Sequence, residues 1–117
     1  MVNLGSPDSP QVKDVKPYLD EFLMDERVID KPYWLRSLLV RGIILKTRPE
    51  KSAEAYQSIW WDEGSPLIVL SERLLEQVRK NTNHPVELGM RYGNPSIEAG
   101  IQKLVDGNPD LEEFVMI

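Results

Sequence analysis

The 117-residue sequence contains no cysteine and one histidine, His84. The first absence rules out a disulfide framework and any thiolate metal site. The second leaves no His cluster for a metal and no Ser-His-acid constellation. Neither GxGxxG nor GxxxxGK[ST] occurs, so no glycine-rich phosphate cradle of either kind is present. No apolar run approaches the roughly 20 residues of a membrane-spanning helix, and no N-terminal signal pattern is visible. A cytoplasmic, reducing compartment is the expectation. Asp62 and Glu63 are adjacent carboxylates at an acidic helix end and read as hydrated. His84 lies in an Asn-His-Pro turn, where a lone histidine is ordinarily solvated. Taken alone, the chain is poorly equipped as an enzyme.

What is present suits a globular protein of one domain or less, with 41% apolar and 28% charged residues. The net charge of −5 is unevenly spread: residues 31–51 hold six bases and one acid, which leaves −10 for the remainder. The same stretch carries Tyr33, Trp34, Leu35, Leu38, Leu39, Val40, Ile43, Ile44 and Leu45. A basic, strongly apolar segment fits an anionic partner with an apolar body, either an acidic lipid surface or an amphiphilic carboxylate. It equally fits a core helix whose bases reach out to water. Nucleic acid is disfavoured, because the acidic remainder would repel phosphates.

Punctuation along the chain suggests alternating strands and helices. Val2 and Leu4 read as the end of a buried strand, Gly5 as a sharp turn or close backbone approach, and Ser9-Pro10 as the cap and first position of a helix. That helix carries the stripe Val12, Val15, Leu19, Phe22 and Leu23. After Pro32 a second helix is predicted over residues 34–45. A third is predicted over 49–61 with Thr47 as its cap, and a fourth from Pro66 to about Asn81 with the stripe Leu67, Leu70, Leu74, Leu75 and Val78. Residues 86–90 alternate like a strand, Asn94-Pro95 caps a fifth helix to about Val105, and residues 114–117 read as a last strand. Strands separated by helices imply an α/β fold, a parallel sheet flanked by helices. The first strand is short and the last has no terminating turn, so the chain reads as part of a larger α/β protein. In open parallel sheets ligands bind beyond the carboxyl ends of the strands, where the LGSPDSP turn sits.

In order, LGSPDSP, YLDEFLMDERVID, RGIILKTRPEKSAEAYQSIW, EGSPL and MRYGNPSI resemble the N-terminal part of the ferrochelatase family, across nearly the whole chain. Ser6 stands where that family commonly has threonine, and the chain ends where the family continues into the rest of its first domain and all of its second. The resemblance implies an incomplete, chelatase-like N-terminal part of a two-domain fold over residues 1–117. It also implies the family's activity, insertion of ferrous iron into a porphyrin to form haem, the last step of haem biosynthesis. Iron and porphyrin would be substrates, with no resident cofactor and no metal site in this chain. Residues 31–48 would form a lip that covers the macrocycle and rests on membrane as a peripheral contact. Trp34, Leu35, Leu38, Leu39, Ile43 and Ile44 are its candidate apolar residues. Arg41 and Arg48 are candidate partners for propionates or anionic head groups. Tyr56 and Ser65 match positions near the cleft, and Arg91 and Tyr92 match a pair beside the metal-side approach.

A porphyrin is a flat apolar disc with carboxylates along one edge, so its site needs apolar walls and a few cations. Metallation releases two pyrrole N–H protons and needs a base facing the ring centre. By resemblance that base is a histidine with an acidic partner, both in the missing C-terminal half, and His84 does not match its motif. No catalytic residue is therefore expected in this chain, and the isolated chain is expected to be inactive. A non-catalytic porphyrin-binding or membrane-binding interaction module, or a structural α/β domain without ligand, remains the alternative.

Overall fold

The computed structural model describes residues 1–117. The chain divides into two compact units, one made of Met1–Ser6 with Pro66–Ile117, the other of Pro7–Ser65.

The first unit is the α/β part. Strand β1 (Val2–Ser6) pairs in parallel with β2 (Gly89–Gly93), with Val2 opposite Gly89, Asn3 opposite Met90, Gly5 opposite Tyr92 and Ser6 opposite Gly93. Helix α5 (Pro66–Lys80) and helix α6 (Ile97–Gly107) belong to the same unit. The core is Leu75, Leu88 and Met90, with Met1, Leu67, Ile68 and Val86 packed around it.

Several boundaries differ from the sequence expectation. The second strand starts at Gly89 rather than at Val86. A Cβ on Gly89 would lie 2.8 Å from Ile97 Cα, and one on Gly100 would lie 2.9 Å from the Leu88 carbonyl oxygen. These two glycines let α6 lie directly on the strand. Helix α6 is capped by Ser96, whose hydroxyl accepts the Ala99 N–H at 3.1 Å, and not by Asn94. On α5 the buried residues are Val69, Ser71 and Leu75, while Leu70 and Leu74 of the expected stripe are exposed. The rotation follows from a polar anchor: Asn3 donates to the Ser71 hydroxyl at 3.0 Å, and that hydroxyl donates to the Leu67 carbonyl at 2.7 Å. Residues 111–117 form no regular element, although the Val2 N–H donates to the Ile117 carbonyl at 2.6 Å.

The second unit is helical: α1 (Val12–Met24), α2 (Tyr33–Leu39), a π-helical turn (Val40–Ile44), α3 (Leu45–Thr47) and α4 (Pro49–Ile59). Helix α1 begins two residues later than Ser9-Pro10 suggests. The Ser9 hydroxyl is turned onto the Asp14 carboxylate and also receives the Gln11 N–H, which makes Ser9 and Pro10 a lead-in turn. Thr47 does not cap α4. Its hydroxyl donates back to the Ile43 carbonyl at 3.2 Å.

The single helix expected over 34–45 is interrupted by the π turn. There the Leu45 N–H reaches the Val40 carbonyl, a five-residue step that brings residues five apart onto nearly one face. Val40 and Leu45 thereby join Leu23 in one buried cluster. In a continuous α-helix they would diverge by about 140°.

Candidate functional site

The lip candidates occupy α2 and the π turn of the helical unit. Burial of Val40 and Leu45 turns the opposite face outward: Trp34 is 68% exposed, Leu38 62% and Ile43 58%. Leu39 is exposed to a lesser degree, Leu35 is half-buried, and Ile44 packs against the Leu23 cluster. The segment therefore divides between core and surface. The first three candidates form the outward apolar face with Tyr33, whereas Ile44 supports it from below.

Its cations are not equivalent. Arg36 is buried, with one guanidinium nitrogen donating to the Ile29 and Lys31 carbonyls at 3.2 and 3.0 Å, so it fastens the preceding loop to α2. Arg41 grips Asp20 of α1 in bidentate fashion, Nε to Oδ1 at 2.9 Å and Nη2 to Oδ2 at 3.1 Å. The Asp20 carboxylate, by its hydrogen bond and its charge, raises the Arg41 pKa further above the ordinary value, so this cation persists at any working pH. Arg48 is exposed, sits at the N-cap of α4 and has no carboxylate partner. The Asp20 grip lies 21 residues away in sequence, and no local pattern announces it.

Tyr56 is half-buried on α4. Its ring meets Tyr18 edge-on at 6.2 Å and Trp60 edge-on at 6.2 Å, while Tyr18 stacks on Phe22 at 6.3 Å. Two pairs at i, i+4 thus join α1 to α4 through one aromatic row. Burial pushes the Tyr56 phenol above its ordinary pKa, and a hydrogen bond from Tyr18 opposes part of that rise. The folded chain holds this proton more tightly than the unfolded chain does. Stability therefore falls as pH rises through about 10. Tyr18→Phe removes the opposing hydrogen bond and is expected to move Tyr56 ionisation, followed by tyrosinate absorbance, to still higher pH. An unchanged or lower midpoint would refute that assignment. Ser65, also in the helical unit, is buried directly before Pro66.

In the α/β unit the carboxyl end of the sheet carries the other candidates. Arg91 is exposed, and its guanidinium carbon lies 5.5 Å from the ring centre of the buried Tyr92. Beside them, at the end of β1, the Ser6 hydroxyl is buried without a hydrogen-bond partner. A buried unpaired hydroxyl is costly unless something completes it, which makes Ser6 a candidate that motif reading passed over. Gly5 explains the local backbone: its φ is 109°, and a Cβ there would overlap the Tyr92 carbonyl oxygen. His84 is exposed and precedes β2, so it stands at the opposite end of the sheet from Ser6. The structure contains no group of three or more His, Asp or Glu side chains placed to hold a metal. No helix is long and apolar enough to cross a membrane.

Comparison with known proteins decides the family, because the ferrochelatase family model matches residues 1–116. The chain belongs to the ferrochelatase family. It is 63% identical over 107 residues to the ferrochelatase of Azotobacter vinelandii strain DJ, covering 91% of this chain and 31% of that protein. To the ferrochelatase of Pseudomonas syringae pv. syringae strain B728a it is 60% identical over 107 residues, again 91% of this chain and 31% of the relative. The ferrochelatase of Stutzerimonas stutzeri strain A1501 is 60% identical over 105 residues, 89% of this chain and 30% of its own length. The chain thus spans about a third of the curated ferrochelatases it matches. No solved structure matches it.

Proposed function

We propose that this chain supplies one wall and the apolar lip of a ferrochelatase active site, in a protein that inserts ferrous iron into a porphyrin to form haem. Iron and porphyrin enter as substrates, with no resident cofactor. The observation that carries the reading is the outward face of Trp34, Leu38 and Ile43 together with the exposed, unpaired cation of Arg48 in the same helical unit. A macrocycle with carboxylates on one edge needs that pairing of apolar surface and guanidinium. In this reading Leu35, Leu39 and Ile44 back the lip, Arg48 meets a propionate, and Arg41 does so only by exchanging its Asp20 partner. Tyr56 and Ser65 support the cleft side of the helical unit. Arg91, Tyr92 and the open hydroxyl of Ser6 belong to the carboxyl end of the sheet, where α/β proteins bind ligands.

The chemistry still missing is proton removal. Two pyrrole N–H protons must leave, and the only histidine lies at the wrong end of the sheet for a ligand at Ser6. The 117-residue chain alone is therefore expected to bind porphyrin without metallating it. Zinc insertion followed by porphyrin fluorescence, for this chain and for the full-length Azotobacter vinelandii ferrochelatase, tests this. Turnover by the chain alone would place the base within these residues.

The same exposed face favours a second reading, a peripheral contact with anionic lipid. Co-sedimentation with anionic and with neutral vesicles separates the two: a lip that serves only porphyrin binds neither.

A further inference from the structure

A guanidinium carries N–H donors and no acceptor, so each hydrogen bond it makes fixes the role of its partner. Arg41 gives Asp20 one hydrogen from Nε and one from Nη2, at 2.9 and 3.1 Å. The same guanidinium also hydrogen-bonds the side chain of Tyr33. In that contact the phenol oxygen can only accept, which leaves the hydroxyl hydrogen free to donate elsewhere. Tyr33 is 64% exposed, so that hydrogen is open to solvent and to a ligand.

Three elements meet at this one cation. Asp20 comes from α1, Tyr33 is the first residue of α2, and Arg41 lies in the π turn. The rise from position 33 to 41 is about 12 Å along a helix, so the two meet only because both side chains are long. Tyr33 precedes Trp34 and shares the outward face with Leu38 and Ile43, which sets a polar atom on an otherwise apolar surface. The Asp20 carboxylate balances the Arg41 charge, so the phenol offers its hydrogen from a locally neutral group. Accepting from a cation still polarises the O–H bond and makes it a better donor.

We propose that Tyr33 is a further binding residue of the lip, whose hydroxyl donates to a carboxyl oxygen on the porphyrin edge, whether that group is an acid or an ester. Arg48 reads the charge of a carboxylate, whereas Tyr33 reads only its oxygen. Arg41, still gripped by Asp20, is a positioning residue that holds the phenol oxygen and leaves its hydrogen free. The assignment rests on the lip reading above and adds to it a contact that motif matching did not supply.

Tyr33→Phe removes the hydroxyl and keeps the ring, so urea unfolding should match the parent chain. Porphyrin fluorescence quenching, with a dicarboxylate porphyrin and with its diester, reads the binding. Both affinities should fall about fivefold, as for one hydrogen bond at a site that water also reaches. The acid-to-ester ratio should keep its parent value, and added salt should leave the loss for the diester in place. In an Arg41→Ala background the same change should cost about twofold or less, because the phenol is no longer held or polarised. Unchanged affinities, a loss confined to the acid, an equal loss in the Arg41→Ala background, or a urea midpoint well below that of the parent would each overturn the assignment. Trp34→Ser with Leu38→Ser checks the lip in the same assay. If that pair weakens binding and Tyr33→Phe does not, the lip stands and Tyr33 is removed from it; if neither does, both readings fall.

Discussion

Gly5→Ala is expected to destabilise the α/β unit by on the order of 3 kcal/mol or more, among the largest effects of any single substitution in the chain. Two costs coincide at this position. Its φ of 109° lies where side chains are rarely tolerated. The added Cβ would also overlap the Tyr92 carbonyl oxygen, which is backbone in the paired strand and cannot swing aside as a side chain would. Relief requires β1 and β2 to separate, and their pairing is the only ladder in the sheet. Gly107→Ala is the control. Nothing lies within 4 Å of a Cβ there, and the residue ends α6. That change should be neutral or should stabilise by about 0.4–1 kcal/mol. Urea unfolding followed by circular dichroism reads both. A Gly5→Ala midpoint equal to that of the parent chain would mean that the backbone at Gly5 relaxes freely.

Gly5 was legible in the sequence as a position needing special backbone freedom, and the prolines and glycines that divide the helices were legible for the same local reason. What could not be read depended on partners distant in sequence. The stripe on α5 pointed to Leu70 and Leu74 as core. The buried face is instead set by Asn3, 68 positions away, which draws Ser71 inward. Apolar periodicity cannot register an anchor that is polar. The start of β2 was misplaced because the alternation over residues 86–90 does not show which of them pair, and Gly89 stood inside that run. Its role in letting α6 approach exists only once Ile97 is beside it. At the candidate site, the apolar and basic character of residues 31–48 was evident, but not its division. The π turn that sends Val40 and Leu45 to the core, and leaves Trp34, Leu38 and Ile43 outside, has no signature in composition. Arg41 and Arg48 look alike in sequence, yet one is held by Asp20 and the other is unpaired.

That division predicts opposite outcomes for substitutions only a few residues apart. Trp34→Ser with Leu38→Ser should change unfolding stability by no more than about 1 kcal/mol, since both side chains already face water. Leu45→Ala, in the buried cluster with Leu23 and Val40, should cost about 2–5 kcal/mol. Binding should reverse the order. If a macrocycle covers Trp34 and Leu38, each withdraws apolar area worth roughly 1.5 kcal/mol, and the double substitution should weaken porphyrin binding on the order of 100-fold. Arg48→Ala should weaken binding of a dicarboxylate porphyrin about tenfold relative to its diester, as expected for loss of one charge-assisted contact. Arg41→Ala should change the acid-to-ester ratio less, because Asp20 already occupies its guanidinium. Asp20→Asn should bring Arg41 up to the behaviour of Arg48. Added salt should shrink the acid-to-ester differences, since the cations are exposed. Porphyrin fluorescence quenching measures the affinities and urea unfolding the stabilities. A double Trp34/Leu38 variant that unfolds far more easily while binding porphyrin normally would identify this face as core and remove the lip from the site. An acid-to-ester affinity ratio unchanged from the parent chain in every arginine variant would place the carboxylates elsewhere.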